Sequence, residues 1–151
     1  MKKIMFVCHG NICRSPMAEI VFRDMVMKAG LSNEFIISSS ATSTEEIGNP
    51  VYPPARAELA RHGLSCDGKY SVQLKSSDYA DYDMFIGMDS ANIRNMNRIF
   101  NQDPENKIYK LMEFTERGGD VADPWYTGEF SVTYADVYDG CQALLEYVRR
   151  K

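Results

Sequence analysis

The chain has 151 residues, 44% of them hydrophobic and 25% charged, which fits one folded domain with a substantial buried core. A formal net charge of −4 argues against bulk nucleic-acid binding. Four cysteines at irregular spacing, with no Cys-x-x-Cys pair, do not form a disulfide framework pattern and suit a reducing compartment. Since no apolar run is long enough for a signal peptide or a membrane span, we expect a cytoplasmic protein without membrane association.

The first predicted elements are a strand and a helix joined by a short loop. Residues 3–7 contain a continuous apolar run of the kind found in a buried parallel strand, and Cys8 follows directly. A helix is predicted after the loop and up to about Gly30. Pro16 suits its first turn, Ser15 suits its N-cap, and apolar residues then recur at helical spacing. Cys8 is therefore expected at the end of a strand, facing a helix N-terminus.

That position favours an anion. The free N–H groups of the helix and the forked donors of Arg14 both match phosphate oxygens, and the same positive field favours the thiolate form of Cys8. Gly10 and Asn11 can adopt left-handed backbone angles, so the loop can curl with its amides pointing inward. The loop thus combines a nucleophile with a phosphate-binding nest.

Further strands alternate with helices along the rest of the chain. Strands are predicted at 35–39, 84–88 and 107–111. Helices are predicted at 53–62, after Ser77 and at 91–100, the last with Asp89 as a cap on its N-terminal side. A long final helix carries an expected core stripe: Tyr134, Val137, Tyr138, Cys141, Leu144, Leu145 and Val148. This order predicts one α/β domain over 1–151, a four-stranded parallel sheet flanked by helices in three layers with Rossmann-like topology.

The segment 118–128 is a glycine-rich loop that carries acids and two large aromatic residues. Asp123 precedes Pro124, and Trp125 and Tyr126 follow, so that a carboxyl group stands beside rings able to stack on a substrate. Asp103 also precedes a proline, but it lies in a polar turn without aromatic neighbours. Asp123 is therefore the preferred acid.

Residues 8–16, Cys-His-Gly-Asn-Ile-Cys-Arg-Ser-Pro, resemble the signature of the low-molecular-weight protein tyrosine phosphatases. The segments 39–50, 61–63, 88–90 and 123–126 resemble later motifs of that family in the same order, so the resemblance covers nearly the whole chain. It implies the phosphotyrosine protein phosphatase I-like fold. It also implies a phosphate-binding loop made of His9, Gly10, Asn11, Ile12, Cys13, Arg14 and Ser15.

The resemblance further implies a mechanism and a support network. Cys8 would form a phosphocysteine, Arg14 would bind the phosphate with the loop amides, and Asp123 would act as general acid and then base. Neither a metal nor a cofactor is called for, because the positive charge comes from the loop. Ser15, Ser39 and His62 would support that loop through hydrogen bonds to Asn11. A histidine near a helix C-terminus can also simply complement the helix dipole.

The rim of the site departs from the family pattern. Glu45 stands where relatives commonly carry an aromatic residue, so Trp125 and Tyr126 would supply the stacking surface beside a negative charge. The expected partners are a phosphotyrosine-containing protein and inorganic phosphate, the latter as product and inhibitor. We expect no nucleic-acid partner and a monomeric protein.

Three alternatives stay open. The first is a protein-arginine phosphatase of the same family, in which threonine stands where this chain has Ile12. The second is an arsenate reductase, although residues 79–92 lack the cysteine pair that such enzymes carry. The third is a non-catalytic phosphotyrosine reader or redox sensor. Cys13, five positions after Cys8, could resolve an oxidised Cys8 as a disulfide or could simply fill apolar space. Zinc is disfavoured, because the only histidines are His9 and His62 and the cysteine spacing matches no structural zinc site.

Overall fold

The computed structural model describes residues 1–150 and contains one four-stranded sheet. Its strands are β1 (Lys2–Cys8), β2 (Phe35–Ala41), β3 (Met84–Gly87) and β4 (Ile108–Lys110). They lie in the order β2-β1-β3-β4, and every neighbouring pair is parallel. Their carboxyl ends therefore meet at one edge of the sheet, where Cys8 ends a central strand. The predicted α/β class and parallel sheet are confirmed.

Helices follow every strand. They are α1 (Arg14–Lys28), α2 (Pro53–Arg61), α3 (Asp78–Asp81), α4 (Ser90–Phe100), α5 (Pro124–Thr127) and α6 (Phe130–Arg149). Two 3₁₀ turns, Ser32–Glu34 and Leu111–Phe114, were not predicted. No helix within residues 1–150 is long and apolar enough to cross a membrane.

The start of α1 differs from the prediction. The helix begins at Arg14 with Cys13 in the N-cap position, and no side chain caps it. Ser15 is therefore not the N-cap. Met17 N donates to Cys13 O at 3.1 Å, so the helical hydrogen bonds begin before Ser15. Because the Ser15 hydroxyl does not cap the helix, it can face back into the loop.

The sheet separates two apolar cores. Side chains alternate along β1, so Ile4, Phe6 and Cys8 join the larger core while Met5 and Val7 join the smaller. Residues of α1, α2 and α6 pack into the larger core, and residues of α4 and the region around α3 pack into the smaller. This produces three layers, as predicted.

Helix α6 buries most, though not all, of its predicted stripe. Val137, Cys141, Leu144 and Val148 are buried, whereas Tyr138 is 42% exposed. Tyr138 directly follows Val137, and one residue turns a helix by about 100°, which points its ring outward. Gly140 lies where α6 approaches the 3₁₀ turn: a Cβ on it would be 2.5 Å from Leu111 Cγ, so only glycine fits.

Candidate active site

The loop between β1 and α1 curls around the sulfur of Cys8. Asn11 has a left-handed φ of 58°, which turns its backbone N–H towards Cys8 Sγ at 3.3 Å. Ser15 Oγ lies 3.0 Å from the same sulfur. Cys8 itself is buried in the protein, with only a small surface facing the cavity described below. The backbone N–H of Asn11 and the hydroxyl group of Ser15 therefore both contact this sulfur.

The side chain of Asn11 braces the loop. Its Nδ2 donates to Ser15 Oγ at 2.8 Å and to Ser39 Oγ at 2.9 Å, while its Oδ1 accepts from Val72 N at 3.1 Å. Asn11, Ser15 and Ser39 are all buried. The contacts of Ser15 and Ser39 with Asn11 are the ones that the family resemblance implied.

His62 does not belong to this network, which corrects the expectation. Its Nε2 lies 3.0 Å from Glu58 Oε2, and its ring stacks on Tyr134 at 3.7 Å between centroids. The physical reason is position: His62 caps α2, and this end of α2 packs against α6 rather than beneath the loop. His62 thus links two helices.

Glu19 and Lys69, rather than His62, extend the hydrogen-bond network of Asn11, because both contact Ser39. Ser39 Oγ donates to Glu19 Oε1 at 2.5 Å, and Lys69 Nζ donates to Ser39 O at 3.0 Å and lies 3.6 Å from Glu19 Oε1. Sequence reasoning missed both residues. Glu19 could have been noticed, because it lies four residues after Ser15 and so on the same face of α1. No local pattern distinguishes Lys69.

Arg14 is buried and held from both sides. Its Nη1 donates to Asp89 Oδ2 at 2.8 Å and to Val121 O at 3.3 Å, and its Nη2 lies 3.4 Å from Asp123 Oδ2. Burial alone lowers the pKa of Arg14, but the negative charges on Cys8 and the two aspartates outweigh it, and the pKa is raised. Arg14 is therefore a permanent cation beside the Cys8 sulfur.

The two carboxylate oxygens of Asp89 make different contacts, of which the sequence predicted one. Its Oδ1 accepts from Asn92 N at 2.8 Å and caps α4, as expected. Its Oδ2 holds Arg14. Because the cap fixes one oxygen, the other is presented to the guanidinium in a fixed position.

Asp123 begins α5 and faces Arg14. Its Oδ1 accepts from Trp125 N at 3.0 Å, so the segment predicted as a loop contains a short helical turn. Trp125 is 59% exposed and Tyr126 is 86% exposed, and the Trp125 ring lies 5.1 Å from that of Tyr52. Neither ring is a core residue.

One cavity of about 400 Å³ brings these groups together. Cys8, Arg14 and Asp123 line it together with Trp125 and Tyr126. Glu45 and His9 lie at its rim, with Glu45 Oε2 3.1 Å from His9 Nε2. Among residues 1–150, no group of three or more histidine, cysteine or carboxylate side chains is arranged to hold a metal ion.

Cys13 lines the same cavity as Cys8, and its thiol has a raised pKa. Burial, followed by the negative charges on Cys8 and Asp123, raises the pKa of Cys13 to about 12. Cys13 is therefore a neutral thiol at physiological pH, in the same loop and cavity as the nucleophile that the sequence predicts.

Taken together, the parallel sheet and the curled loop at the end of its first strand define a class: α/β proteins that hold a cysteine and an arginine in one anion-binding loop. The family model of the low molecular weight phosphotyrosine protein phosphatases matches residues 3–151. The chain belongs to this family, as the resemblance of its motifs indicated.

Curated relatives and solved structures support the same family. The low molecular weight protein-tyrosine-phosphatase YfkJ of Bacillus subtilis is 36% identical over 153 residues, which cover 100% of this chain and 98% of the relative. PtpA of Staphylococcus saprophyticus is 35% identical over 149 residues, covering 98% and 94%. The crystal structure of YfkJ superposes with a TM-score of 0.96 over 99% of this chain and 96% of that one. The phosphatase SP-PTP of Streptococcus pyogenes, 41% identical, superposes with a TM-score of 0.88 over 97% and 93%.

Proposed function

We propose that the protein hydrolyses phosphotyrosine monoesters in proteins through a phosphocysteine intermediate on Cys8. The observation that carries the proposal is the convergence of Cys8, Arg14 and Asp123 on one cavity, although Asp123 lies 109 positions from Arg14 in the chain. The names of the relatives YfkJ and PtpA as protein-tyrosine-phosphatases support it.

In the first step, the thiolate of Cys8 attacks phosphorus in line with the ester oxygen. An S–P bond forms while the P–O bond to the phenol breaks, and Asp123 gives its proton to the departing oxygen. Arg14 and the loop amides, of which the Asn11 N–H already points at the sulfur, bind the other phosphate oxygens, so their charge is neutralised without a metal. The Ser15 hydroxyl, 3.0 Å from the sulfur, stabilises the thiolate before attack.

In the second step, water attacks the phosphocysteine. Asp123, now ionised, takes a proton from the water, the S–P bond breaks, and the electron pair returns to the sulfur. Ser15 again donates to the thiolate, which is the leaving group here. Inorganic phosphate is the product, and it inhibits by occupying the same loop.

The walls of the cavity favour an aromatic phosphoester. Trp125 and Tyr126 offer exposed rings at the mouth, against which a phenol ring can stack. Ile12 supplies an apolar wall where a threonine marks the arginine phosphatases of the family. Four free thiols suit action on cytoplasmic phosphoproteins, and we expect the protein to act as a monomer.

The test is phosphate release from three peptides that differ only in bearing phosphotyrosine, phosphoserine or phosphoarginine, assayed with a metal chelator present. The proposal expects multiple turnovers on the phosphotyrosine peptide and far slower release from the other two. Faster release from phosphoarginine would replace the substrate with the arginine alternative. Binding of the phosphotyrosine peptide without turnover would make the protein a reader.

A further inference from the structure

An ion pair between the buried Glu19 and the largely buried Lys69 lies behind the phosphate-binding loop and has no part in the proposed chemistry. The side chain of Glu19 is 4% exposed and that of Lys69 is 15% exposed. Glu19 also pairs with Arg23 at 2.7 Å, but the Arg23 side chain is 56% exposed. Two cationic side chains therefore balance the negative charge of Glu19: the exposed Arg23 and the largely buried Lys69.

The hydrogen-bond chain that starts at Glu19 has a definite direction. The Glu19 carboxylate can only accept, so the single proton of Ser39 Oγ goes to Glu19. Ser39 Oγ is then left with lone pairs alone, and it must accept from Asn11 Nδ2. The second proton of Asn11 Nδ2 goes to Ser15 Oγ. Ser15 therefore accepts from Asn11 and keeps its own proton for the sulfur of Cys8.

The opposite arrangement of the Asn11 amide would reverse this outcome. With its oxygen turned towards the two serines, Asn11 would accept the Ser15 proton, and Cys8 would lose a donor. Glu19 opposes that flip by taking the Ser39 proton, so that the flipped amide would set its oxygen against the lone pairs of Ser39. Val72 N opposes it from the other side by donating to Asn11 Oδ1.

Lys69 holds the carboxylate in place. Burial lowers the pKa of Lys69, while Glu19 and a negative charge on Cys8 act against that change. Its ammonium group donates to the backbone of Ser39 and lies beside Glu19, so it stabilises the ionised carboxylate where water cannot.

We propose that Glu19 and Lys69 are positioning residues, which act through Ser39, Asn11 and Ser15 to keep the Ser15 proton directed at Cys8. This inference rests on the proposed function, because Cys8 matters for catalysis only if it is the nucleophile. The hydrogen bond from Ser15 to the Cys8 sulfur can nevertheless be tested without any turnover. It assigns the buried pair a role in making the nucleophile.

The deciding variant is the double substitution Glu19→Leu with Lys69→Met. It removes one negative and one positive charge, so the net charge near Cys8 is unchanged, and apolar residues of similar volume often replace a buried ion pair without loss of stability. The measurement is the pH at which Cys8 reaches half of its maximal rate of alkylation by iodoacetamide, read on the Cys8 peptide by mass spectrometry. The other ionisable cavity groups are the same in all variants: His9, Cys13, Arg14, Glu45, Glu46, Asp89, Asp123 and Tyr126.

The proposal expects the double variant to raise this midpoint by roughly 0.5–2 pH units, since one hydrogen bond to a charged sulfur is weakened. The same double substitution in a Ser15→Ala background should raise it by less than half as much. Lys69→Arg should leave it close to wild type, and Arg23→Met, which removes the exposed cation, should move it by no more than roughly 0.3 pH units.

An unchanged midpoint in the folded double variant overturns the proposal, and so does an equal shift with and without Ser15. Thermal unfolding monitors the fold, and if the double variant does not fold, Ser39→Ala replaces it with the same expected direction of shift. Alkylation needs no turnover. If wild-type protein releases no phosphate yet shows the shifts, the proposed function fails while the positioning role stands.

Discussion

Replacing Asp123 with asparagine removes a proton donor while leaving the local structure in place. An asparagine oxygen can still accept from Trp125 N, the contact that Asp123 Oδ1 makes at 3.0 Å, so α5 keeps its cap. The ion pair that is lost joins Asp123 Oδ2 to Arg14 Nη2 at 3.4 Å, and the Asp123 side chain is 33% exposed. Ion pairs with a solvent-exposed partner contribute about 0–1 kcal/mol. We therefore expect the free energy of unfolding to change by less than about 1 kcal/mol.

The effect on catalysis should be much larger and should depend on the leaving group. A tyrosine phenolate has a pKa of about 10 and needs the proton, so general acid catalysis is worth roughly 10²- to 10⁴-fold, or about 3–5 kcal/mol of barrier. A nitrophenolate departs without a proton. The assay compares kcat/KM of wild type and Asp123→Asn on a phosphotyrosine peptide and on nitrophenyl phosphate. Equal losses on both substrates would refute the acid role, and an intact Tm would exclude misfolding as the cause.

Three further substitutions test separate parts of the molecule. Glu45→Tyr removes a negative charge from the cavity rim and adds a ring, so KM for aryl phosphates should fall by roughly two- to tenfold, whereas an unchanged KM would mean that the substrate does not reach this side chain. Peroxide should inactivate the wild type reversibly through a disulfide between Cys8 and Cys13, and Cys13→Ser should stay active but recover less activity with thiol reductant; full recovery would leave Cys13 as a packing residue. Gly140→Ala places a Cβ about 2.5 Å from Leu111 Cγ and should destabilise the fold by about 1–3 kcal/mol, seen as a lower Tm with unchanged KM; an unchanged Tm would show that Leu111 moves aside freely.

The parts of the fold that the sequence predicted are those encoded locally. The apolar run of β1, the proline pair that begins α2 and the Asp89 cap of α4 are each written in a few adjacent residues, and all appear in the structure. Tyr138 was assigned to the core because it fits the apolar spacing, but helical spacing alone does not fix the width of the buried stripe.

The contacts that the sequence did not predict join distant positions. Arg14 meets Asp89 75 positions away, and Ser39 lies 30 positions from Lys69. No periodicity or motif records such a meeting, because it depends on how the sheet edge and its loops pack. The misplacement of His62 has a similar origin in part. Its contact with Glu58 is local, four residues back on α2, but its stacking on Tyr134 depends on the packing of α2 against α6.

The most direct test of the covalent account is rapid acid quenching during turnover of a phosphotyrosine peptide, followed by mass spectrometry of the protein. We expect one phosphoryl group on the peptide that contains Cys8. With nitrophenyl phosphate as substrate, the Asp123→Asn variant should accumulate more of this phosphorylated protein, because the second step still needs the base. The same experiment on Cys8→Ser should show no turnover and no cysteine phosphorylation. Phosphate release by the wild type without a phosphorylated Cys8, or steady turnover by Cys8→Ser, would contradict the account.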